Sequence, residues 1–170
     1  AEAGVHVPTV FASDLDQGFL LLSDLGATTY LSALTPTNAS DLYAEALGAL
    51  ASIQRASRPG LLPEYDRAHL LREMELFPVW YVDRHKGVSL SDAEKNELYG
   101  VFDTLLRVNL AEPKVFVHRD YHSRNLMLSS PNPGILDFQD AVDGPLPYDL
   151  ASLVKDAYIH WEEAQTLDWL

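Results

Sequence analysis

Reactive side chains are densest between residues 118 and 137. Asp120 is followed by Asn125 five residues later, and Asp137 ends a short apolar run. A carboxylate can accept the proton of an attacking hydroxyl group, while an amide and a second carboxylate can hold Mg²⁺ against nucleotide phosphates. The residue types and their spacing therefore predict phosphoryl transfer, with Asp120 as the catalytic base and Asn125 and Asp137 as magnesium ligands.

Short strands around this segment would bring the three groups together. Apolar runs at 115–117, 126–128 and 135–136 predict strands on both sides of a tight loop. Because adjacent strands lie about 5 Å apart, the strand before Asp137 would place its carboxylate beside the loop that carries Asp120. A histidine and an aspartate in a turn are usually structural, but the full pattern H-R-D-x-x-x-x-N, followed by a strand, Asp and Phe, favours a functional site.

The rest of the chain predicts a mainly helical α+β fold. Apolar runs at 7–12 and 18–22 around a polar turn favour a β-hairpin. Four helices are predicted, and they lie at about 38–56, at 64–76 with a kinked extension past Pro78, from Ser91 in a capping box with Glu94, and after Pro147.

The composition is that of a folded acidic domain. Hydrophobic residues make up 47% and charged residues 22% of the chain. Lys and Arg number 12 against 25 Asp and Glu, and the resulting net charge of −13 argues against nucleic acid and anionic membranes as partners. The absence of cysteine excludes disulfides and a cysteine nucleophile. No apolar run reaches the roughly 18 residues of a membrane span, and no signal peptide is evident, so a cytoplasmic protein is expected.

Three segments around the predicted site carry recognisable motifs, at residues 118–125, 134–140 and 144–151. They resemble the catalytic loop, the metal loop and the following stretch of the aminoglycoside phosphotransferase and choline-kinase-like family, which is distantly related to protein kinases. The chain also resembles the bacterial anomeric kinases that phosphorylate N-acetylmuramate and N-acetylglucosamine at C1 during cell-wall recycling. That finer similarity lies in residues 72–77, 80–81 and 117–128.

The resemblance implies part of a kinase with two lobes. Residues 1–26 would be the last hairpin of the small lobe and the hinge, and residues 27–170 would be the large catalytic lobe. The family's glycine-rich loop and phosphate-binding lysine have no counterpart in the sequence, because in the family they precede the position where this chain starts. The chain is therefore expected to be a piece of a longer kinase and to be inactive by itself.

The resemblance also implies ATP and Mg²⁺ as cofactors and a small-molecule sugar as substrate. Asp120 matches the catalytic base, and Asn125 and Asp137 match the metal ligands. The remaining matches are Asp24 and Leu25 in the adenine-binding hinge, Met127 under the adenine ring, and His118, Arg124 and Asp149 in support of the catalytic loop. Sugar contacts are predicted, from aromatic and acidic side chains on or after one helix, at Glu73, Glu75, Trp80 and Tyr81.

Several alternatives remain open from the sequence. Ordinary core packing would also explain Met127 and the aromatic residues near 80, and Arg124 could either offset phosphate charge or pair with a structural carboxylate. The acceptor could instead be an aminoglycoside or choline. A non-catalytic nucleotide-binding or interaction module is an alternative of another class.

Two further motifs suggest other chemistry. Asp14 and Asp16 resemble the D-x-D motif of haloacid-dehalogenase-type phosphatases, although a hairpin turn explains both. His118, Asp120 and His122 could bind a transition metal, since alternate residues of an extended loop can converge on one ion.

Overall fold

The computed structural model describes residues 3–170 and shows three small antiparallel sheets among helices. The strands are β1 (Val10–Asp14), β2 (Phe19–Leu22), β3 (Lys114–Val117), β4 (Leu126–Met127), β5 (Gly134–Ile135) and β6 (Val142–Pro145), paired as β1–β2, β3–β6 and β4–β5. The helices are α1 (Tyr30–Ala33), α2 (Ala39–Arg55), α3 (Arg67–Met74), a π-helix (Phe77–His85), α4 (Asp92–Ala111), α5 (Tyr148–Val154) and α6 (Glu163–Trp169). The predicted α+β fold is confirmed. No helix within residues 3–170 is both long and apolar enough to cross a membrane.

Helix α2 lies at the centre of the larger hydrophobic core. Leu42, Ala46 and Leu50 recur at helical spacing and are buried, so they form the apolar face of the helix predicted at about 38–56. They belong to the same buried cluster as Tyr121, whose hydroxyl donates a hydrogen bond to the backbone oxygen of Ala46 over 2.7 Å. The residue that follows Asp120 is thereby anchored in the core.

A second, smaller core joins α3 and α4 to the sheet formed by β3 and β6. Strand β6 packs closely against this core. A Cβ added to Gly144 in this strand would lie only 3.0 Å from the Cβ of Tyr65. Strand β3 therefore enters the loop at residue 118 from a fixed position. The buried members of this core are Tyr65, Leu70, Leu106, Val117 and Val142.

The predicted helices agree with α2, α4 and α5, whereas α3 begins at Arg67 rather than near residue 64, where Glu64 forms a β-bridge with Asp143. Helices α1 and α6 are not among those predicted. Asn38 is the N-cap of α2, and Ser91 and Glu94 form the predicted capping box of α4. The expected kinked extension past Pro78 is instead a separate π-helix, since proline lacks the N–H that a continuing α-helical turn would use. Strand β6 is not predicted from the sequence, because its Val-Asp-Gly-Pro composition is unfavourable for a strand.

The predicted hairpin is present, although β1 begins at Val10 rather than at Val7. Asp14 pairs with Phe19 at the end of the hairpin, where the Asp14 carboxylate accepts a hydrogen bond from the Gln17 N–H over 3.0 Å. A turn, rather than a D-x-D nucleophile site, therefore accounts for this aspartate. Val7 packs against the larger core. The lobe boundary stays a prediction.

Candidate active site

Asp149 holds the backbone at the start of the catalytic loop. Its fully buried carboxylate accepts hydrogen bonds from the backbone N–H groups of His118 (2.6 Å) and Arg119 (3.0 Å). Burial raises the pKa of Asp149 to about 6, and the two N–H donors oppose this shift by stabilising the charged form. One carboxylate thus fixes two consecutive amides directly before Asp120.

Arg119 adopts a left-handed backbone conformation, with φ of 78°. Side chains disfavour this region sterically, so other contacts must hold the residue there. Its guanidinium donates a hydrogen bond to Oε1 of Glu73 over 2.7 Å and lies 5.4 Å from the ring centroid of Tyr65. The other carboxylate oxygen of Glu73 accepts hydrogen bonds from the hydroxyls of Tyr65 and Tyr148. This network connects helix α3 to the residue before Asp120.

His118 connects the catalytic loop to the segment that carries Asp137. Its ring donates from Nε2 to the backbone oxygen of Leu136 (2.8 Å) and accepts at Nδ1 from the N–H of Asp120 (3.3 Å). Because Nδ1 accepts a hydrogen bond and Nε2 donates one, the ring carries its proton on Nε2. Burial lowers the pKa of His118, which favours this neutral form. Both ring nitrogens are therefore engaged, which contradicts the alternative of a transition-metal site with His122. Within residues 3–170, no three His, Asp or Glu side chains are grouped as metal ligands.

Asp120, Asn125 and Asp137 meet in one cleft. The side-chain nitrogen of Asn125 donates to the backbone oxygen of Asp120 (3.0 Å) and to Oδ2 of Asp137 (3.4 Å). Gln139, which stands where protein kinases have glycine, donates to Oδ1 of Asp137 over 2.7 Å. The cleft has a volume of about 340 Å³ and is lined by Asp120, His122, Arg124, Asn125, Asp137 and Tyr158.

The donor groups of Asn125 and Asp137 suit a magnesium ion. Mg²⁺ prefers oxygen ligands and usually takes only one or two from the protein, completing its shell with phosphates and water. The amide nitrogen of Asn125 is occupied by hydrogen bonds, so its oxygen is the atom left for a cation. The pair therefore fits the ion that the motif predicts.

Arg124 stands in this cleft without a carboxylate partner. Within the described residues it forms no ion pair, and its guanidinium instead lies 4.8 Å from the ring centroid of Tyr158. The alternative that Arg124 pairs with a structural carboxylate is therefore wrong for this part of the chain. Tyr158 lines the cleft but is absent from the residues predicted from the sequence, because no motif or periodicity connects it to the loop.

Leu25 and Met127 lie side by side against β5. A Cβ on Gly134 would come 2.9 Å from Cδ1 of Leu25 and 3.3 Å from Cβ of Met127. The carboxylate of Asp24 accepts a hydrogen bond from the N–H of Gly26 over 2.8 Å, which fixes the turn beside Leu25. The structure thus brings together two of the residues predicted to bind adenine, and their contact with a nucleotide stays a prediction.

The predicted aromatic sugar contacts lie on the π-helix and do not line the cleft. Trp80 is 58% exposed and lies under Arg84, and Tyr81 stacks on Phe77 with ring centroids 5.5 Å apart. Because all three rings are substantially exposed, the core-packing alternative is wrong for them.

The two predicted acidic sugar contacts also have protein partners. Glu75 accepts a hydrogen bond from the hydroxyl of Tyr99 over 2.9 Å. Glu73 is engaged by Arg119 and by two tyrosine hydroxyls, so the structure gives it a supporting position behind the catalytic loop. Sequence reasoning missed this network because its members are far apart in the chain.

Comparison with known proteins identifies the family. The sequence pattern of the phosphotransferase enzyme family matches residues 1–170. The chain is 55% identical over 163 residues to the N-acetylmuramate/N-acetylglucosamine kinase of Pseudomonas aeruginosa, covering 96% of this chain and 48% of the relative. It is 52% identical over 170 residues to the enzyme of the same name from Pseudomonas putida, covering 100% of this chain and 50% of that protein.

A solved structure agrees with the fold. The ADP-bound aminoglycoside phosphotransferase APH(2'')-Ib has a TM-score of 0.67 at 15% identity, and the match covers 98% of this chain and 60% of that one. The chain spans about half the length of the curated relatives it matches. With its whole described length matched by one family pattern, the chain belongs to the phosphotransferase enzyme family.

Proposed function

We propose that this chain forms part of an ATP- and Mg²⁺-dependent kinase that phosphorylates a sugar hydroxyl. The proposed acceptor is the anomeric hydroxyl of N-acetylmuramate or N-acetylglucosamine. One observation carries the proposal: Asp120, Asn125 and Asp137 converge in one cleft of a chain 55% identical to a kinase named for these sugars. The activity is proposed for a longer protein of the relatives' length, acting in the cytoplasm, where ATP is available, in cell-wall recycling.

Asp120 is proposed as the catalytic base, since its carboxylate is exposed in the cleft. In the transfer, the acceptor oxygen bonds to the γ-phosphorus, and the bond from that phosphorus to the bridging oxygen of the departing ADP breaks. The hydroxyl proton moves to the carboxylate of Asp120. Asn125 and Asp137 would hold Mg²⁺, which supplies neutralising charge at the phosphates.

The remaining predicted residues are proposed to bind or support. Leu25 and Met127 would contact the adenine ring, with the hinge backbone at Asp24 beside it. His118 and Asp149 would keep the catalytic loop in position through the hydrogen bonds described above. Trp80, Tyr81 and Glu75 stay proposed sugar contacts, and no contact in the structure places them at the cleft.

An aminoglycoside is the second candidate acceptor. The solved structures that share the fold are aminoglycoside phosphotransferases, but an identity of 15% supports the fold alone. Identities of 55% and 52% to kinases named for N-acetyl sugars favour the sugar.

The test is a kinase assay of the longer protein with Mg-ATP and four acceptors: N-acetylmuramate, N-acetylglucosamine, an aminoglycoside and choline. Phosphate transfer is expected only to the two N-acetyl sugars. Asp120→Asn should lower kcat about 10²- to 10⁴-fold with little change in the KM for ATP, because the carboxylate acts on the acceptor. Absence of transfer to both sugars contradicts the proposed function. An Asp120→Asn variant that keeps more than about a tenth of wild-type kcat contradicts the base assignment.

A further inference from the structure

Arg124 lines the cleft, and its guanidinium lies over an aromatic ring. It is the one Lys or Arg among the six residues that line the cleft. The central carbon of its guanidinium lies over the Tyr158 ring, 4.8 Å from the ring centroid. A guanidinium in this position is attracted by the π electrons and keeps the N–H donors at its edge available. Those donors have no carboxylate partner within residues 3–170.

Asp156 fixes Tyr158 relative to the catalytic loop. One carboxylate oxygen accepts a hydrogen bond from the N–H of Ser123 (2.9 Å), and the other accepts from the N–H of Tyr158 (2.9 Å). The ring of His122 packs edge-on against Tyr158, with centroids 5.4 Å apart and an interplanar angle of 64°. The Tyr158 ring therefore contacts both His122 and Arg124, and a single carboxylate ties its backbone to the loop.

The cleft carries negative charge that a fixed arginine side chain can offset. Asp120 and Asp137 contribute two carboxylates to the cleft, and the whole chain carries a net charge of −13. A nucleotide triphosphate adds further negative charge, and phosphoryl transfer depends on fixed positive groups at the transferred phosphate. An arginine held in place before the substrate arrives would offset this repulsion without reorganisation.

We propose that Tyr158 is a positioning residue that holds the Arg124 guanidinium at the transferred phosphoryl group. Arg124 then stabilises charge on that group while the bond to ADP breaks and the bond to the acceptor oxygen forms. This inference rests on the proposed function, because it assumes phosphoryl transfer in the cleft of Asp120. It adds Tyr158, and the hydrogen bonds by which Asp156 holds the Tyr158 backbone, to the features on which the reaction depends.

The test compares two substitutions of Tyr158 in the longer protein with Mg-ATP and N-acetylglucosamine. Tyr158→Leu removes the ring, and kcat should fall about 3- to 5-fold, the value of an exposed cation–π contact. Tyr158→Phe keeps the ring, and because the Tyr158 hydroxyl has no hydrogen bond in the described structure, it should restore kcat to within about twofold of wild type. Thermal melting checks that both variants are folded.

Arg124 variants show whether Tyr158 acts through the guanidinium. Arg124→Ala should lower kcat on the order of 100-fold with both N-acetyl sugars. In that background Tyr158→Leu should have no further effect, since the two residues then form one interaction. Arg124→Lys keeps the charge but removes the planar guanidinium that lies over the ring, so kcat should fall about as much as in Tyr158→Leu. This variant replaces Tyr158→Leu in the test if Tyr158→Leu does not fold.

Different kinetic results for the Tyr158 or Arg124 variants would overturn the proposal. Equal kcat for Tyr158→Leu and wild type, or an undiminished effect of Tyr158→Leu in the Arg124→Ala background, would show that Tyr158 does not position Arg124. An Arg124→Ala variant that raises only the KM for N-acetylmuramate would place the guanidinium on the acceptor's carboxylate instead. A wild-type protein that phosphorylates neither sugar would refute the proposed function, a failure distinct from these.

Discussion

The left-handed backbone at Arg119 leads to a quantitative prediction about stability. A side chain at positive φ costs about 1–2 kcal/mol, which glycine avoids. The hydrogen bond from Arg119 to Glu73 is charge-assisted, and such bonds contribute about 1.5–3 kcal/mol. Because the two side chains are 34% and 33% exposed, the lower value applies. Arg119→Ala loses the bond and keeps the strain, so it should destabilise the protein by about 1.5 kcal/mol.

Arg119→Gly loses the same bond but relieves the strain. The strain that glycine relieves is about 1–2 kcal/mol. About 0.5 kcal/mol of this gain is lost, because glycine makes the unfolded chain more flexible. The Arg119→Gly variant should therefore be about 1 kcal/mol more stable than Arg119→Ala. The order of stability is therefore wild type, then Gly, then Ala.

The free energy of unfolding of all three proteins is measured by urea unfolding, and the comparison requires that their m-values are equal. Arg107→Ala, an exposed change on α4, is the matched control and should shift the free energy of unfolding by less than about 0.5 kcal/mol. An Ala variant as stable as the Gly variant would refute the strain at Arg119. If Arg119→Ala lowers the free energy of unfolding no more than Arg107→Ala does, the contribution of the hydrogen bond to Glu73 is refuted.

Three further predictions concern the nucleotide site and pH. Asp137→Ala should raise the apparent constants for both Mg²⁺ and ATP, measured by varying each in the kinase assay, because an oxygen ligand to the cation is lost. Gly134→Ala should raise the KM for ATP with little change in kcat, because its Cβ would lie 2.8 Å from Oγ of Ser129, 2.9 Å from Cδ1 of Leu25 and 3.3 Å from Cβ of Met127 and would displace these side chains. An unchanged KM would contradict the placement of Leu25 and Met127 under adenine. Because burial lowers the pKa of His118, the unfolded protein takes up a proton first as the pH falls below about 6.5, and the fold loses stability there. The decrease in unfolding free energy from about pH 7 to about pH 5 should therefore be smaller in His118→Gln, and an equal decrease would contradict a neutral His118.

Local signals in the sequence predict helices α2 and α4 well. The capping box of Ser91 and Glu94 depends on residues three apart, and the stripe of Leu42, Ala46 and Leu50 depends on one helical period. Such patterns are set by near neighbours, so they can be read without the fold. The family motifs locate Asp120 for the same reason, because the loop is contiguous.

Contacts between distant segments explain what the sequence could not predict. The sequence predicts a sugar contact at Glu73, whereas in the structure its carboxylate accepts a hydrogen bond from Arg119, 46 positions away in the chain. Asp156 reaches Ser123 across 33 positions. These contacts depend on how helices and loops pack, and a single polar residue leaves no periodic trace of its partner. The sequence therefore names three side chains that share one cleft in the structure, but it does not reveal the residues that hold the loop around them.

Irregular loops need side chains to satisfy their backbone, and this explains how the acidic residues are used. The amides at residues 118, 119 and 123 bond to no neighbouring strand, and buried N–H groups without acceptors are costly. Asp149 accepts from the first two and Asp156 from the third, so carboxylates supply the acceptors that a sheet would otherwise provide. Asp120 accepts none of these three backbone hydrogen bonds and is exposed in the cleft. The carboxylates around the cleft therefore fall into two sets, those of Asp120 and Asp137 in the open cleft and those of Asp149 and Asp156 that accept backbone N–H groups behind it.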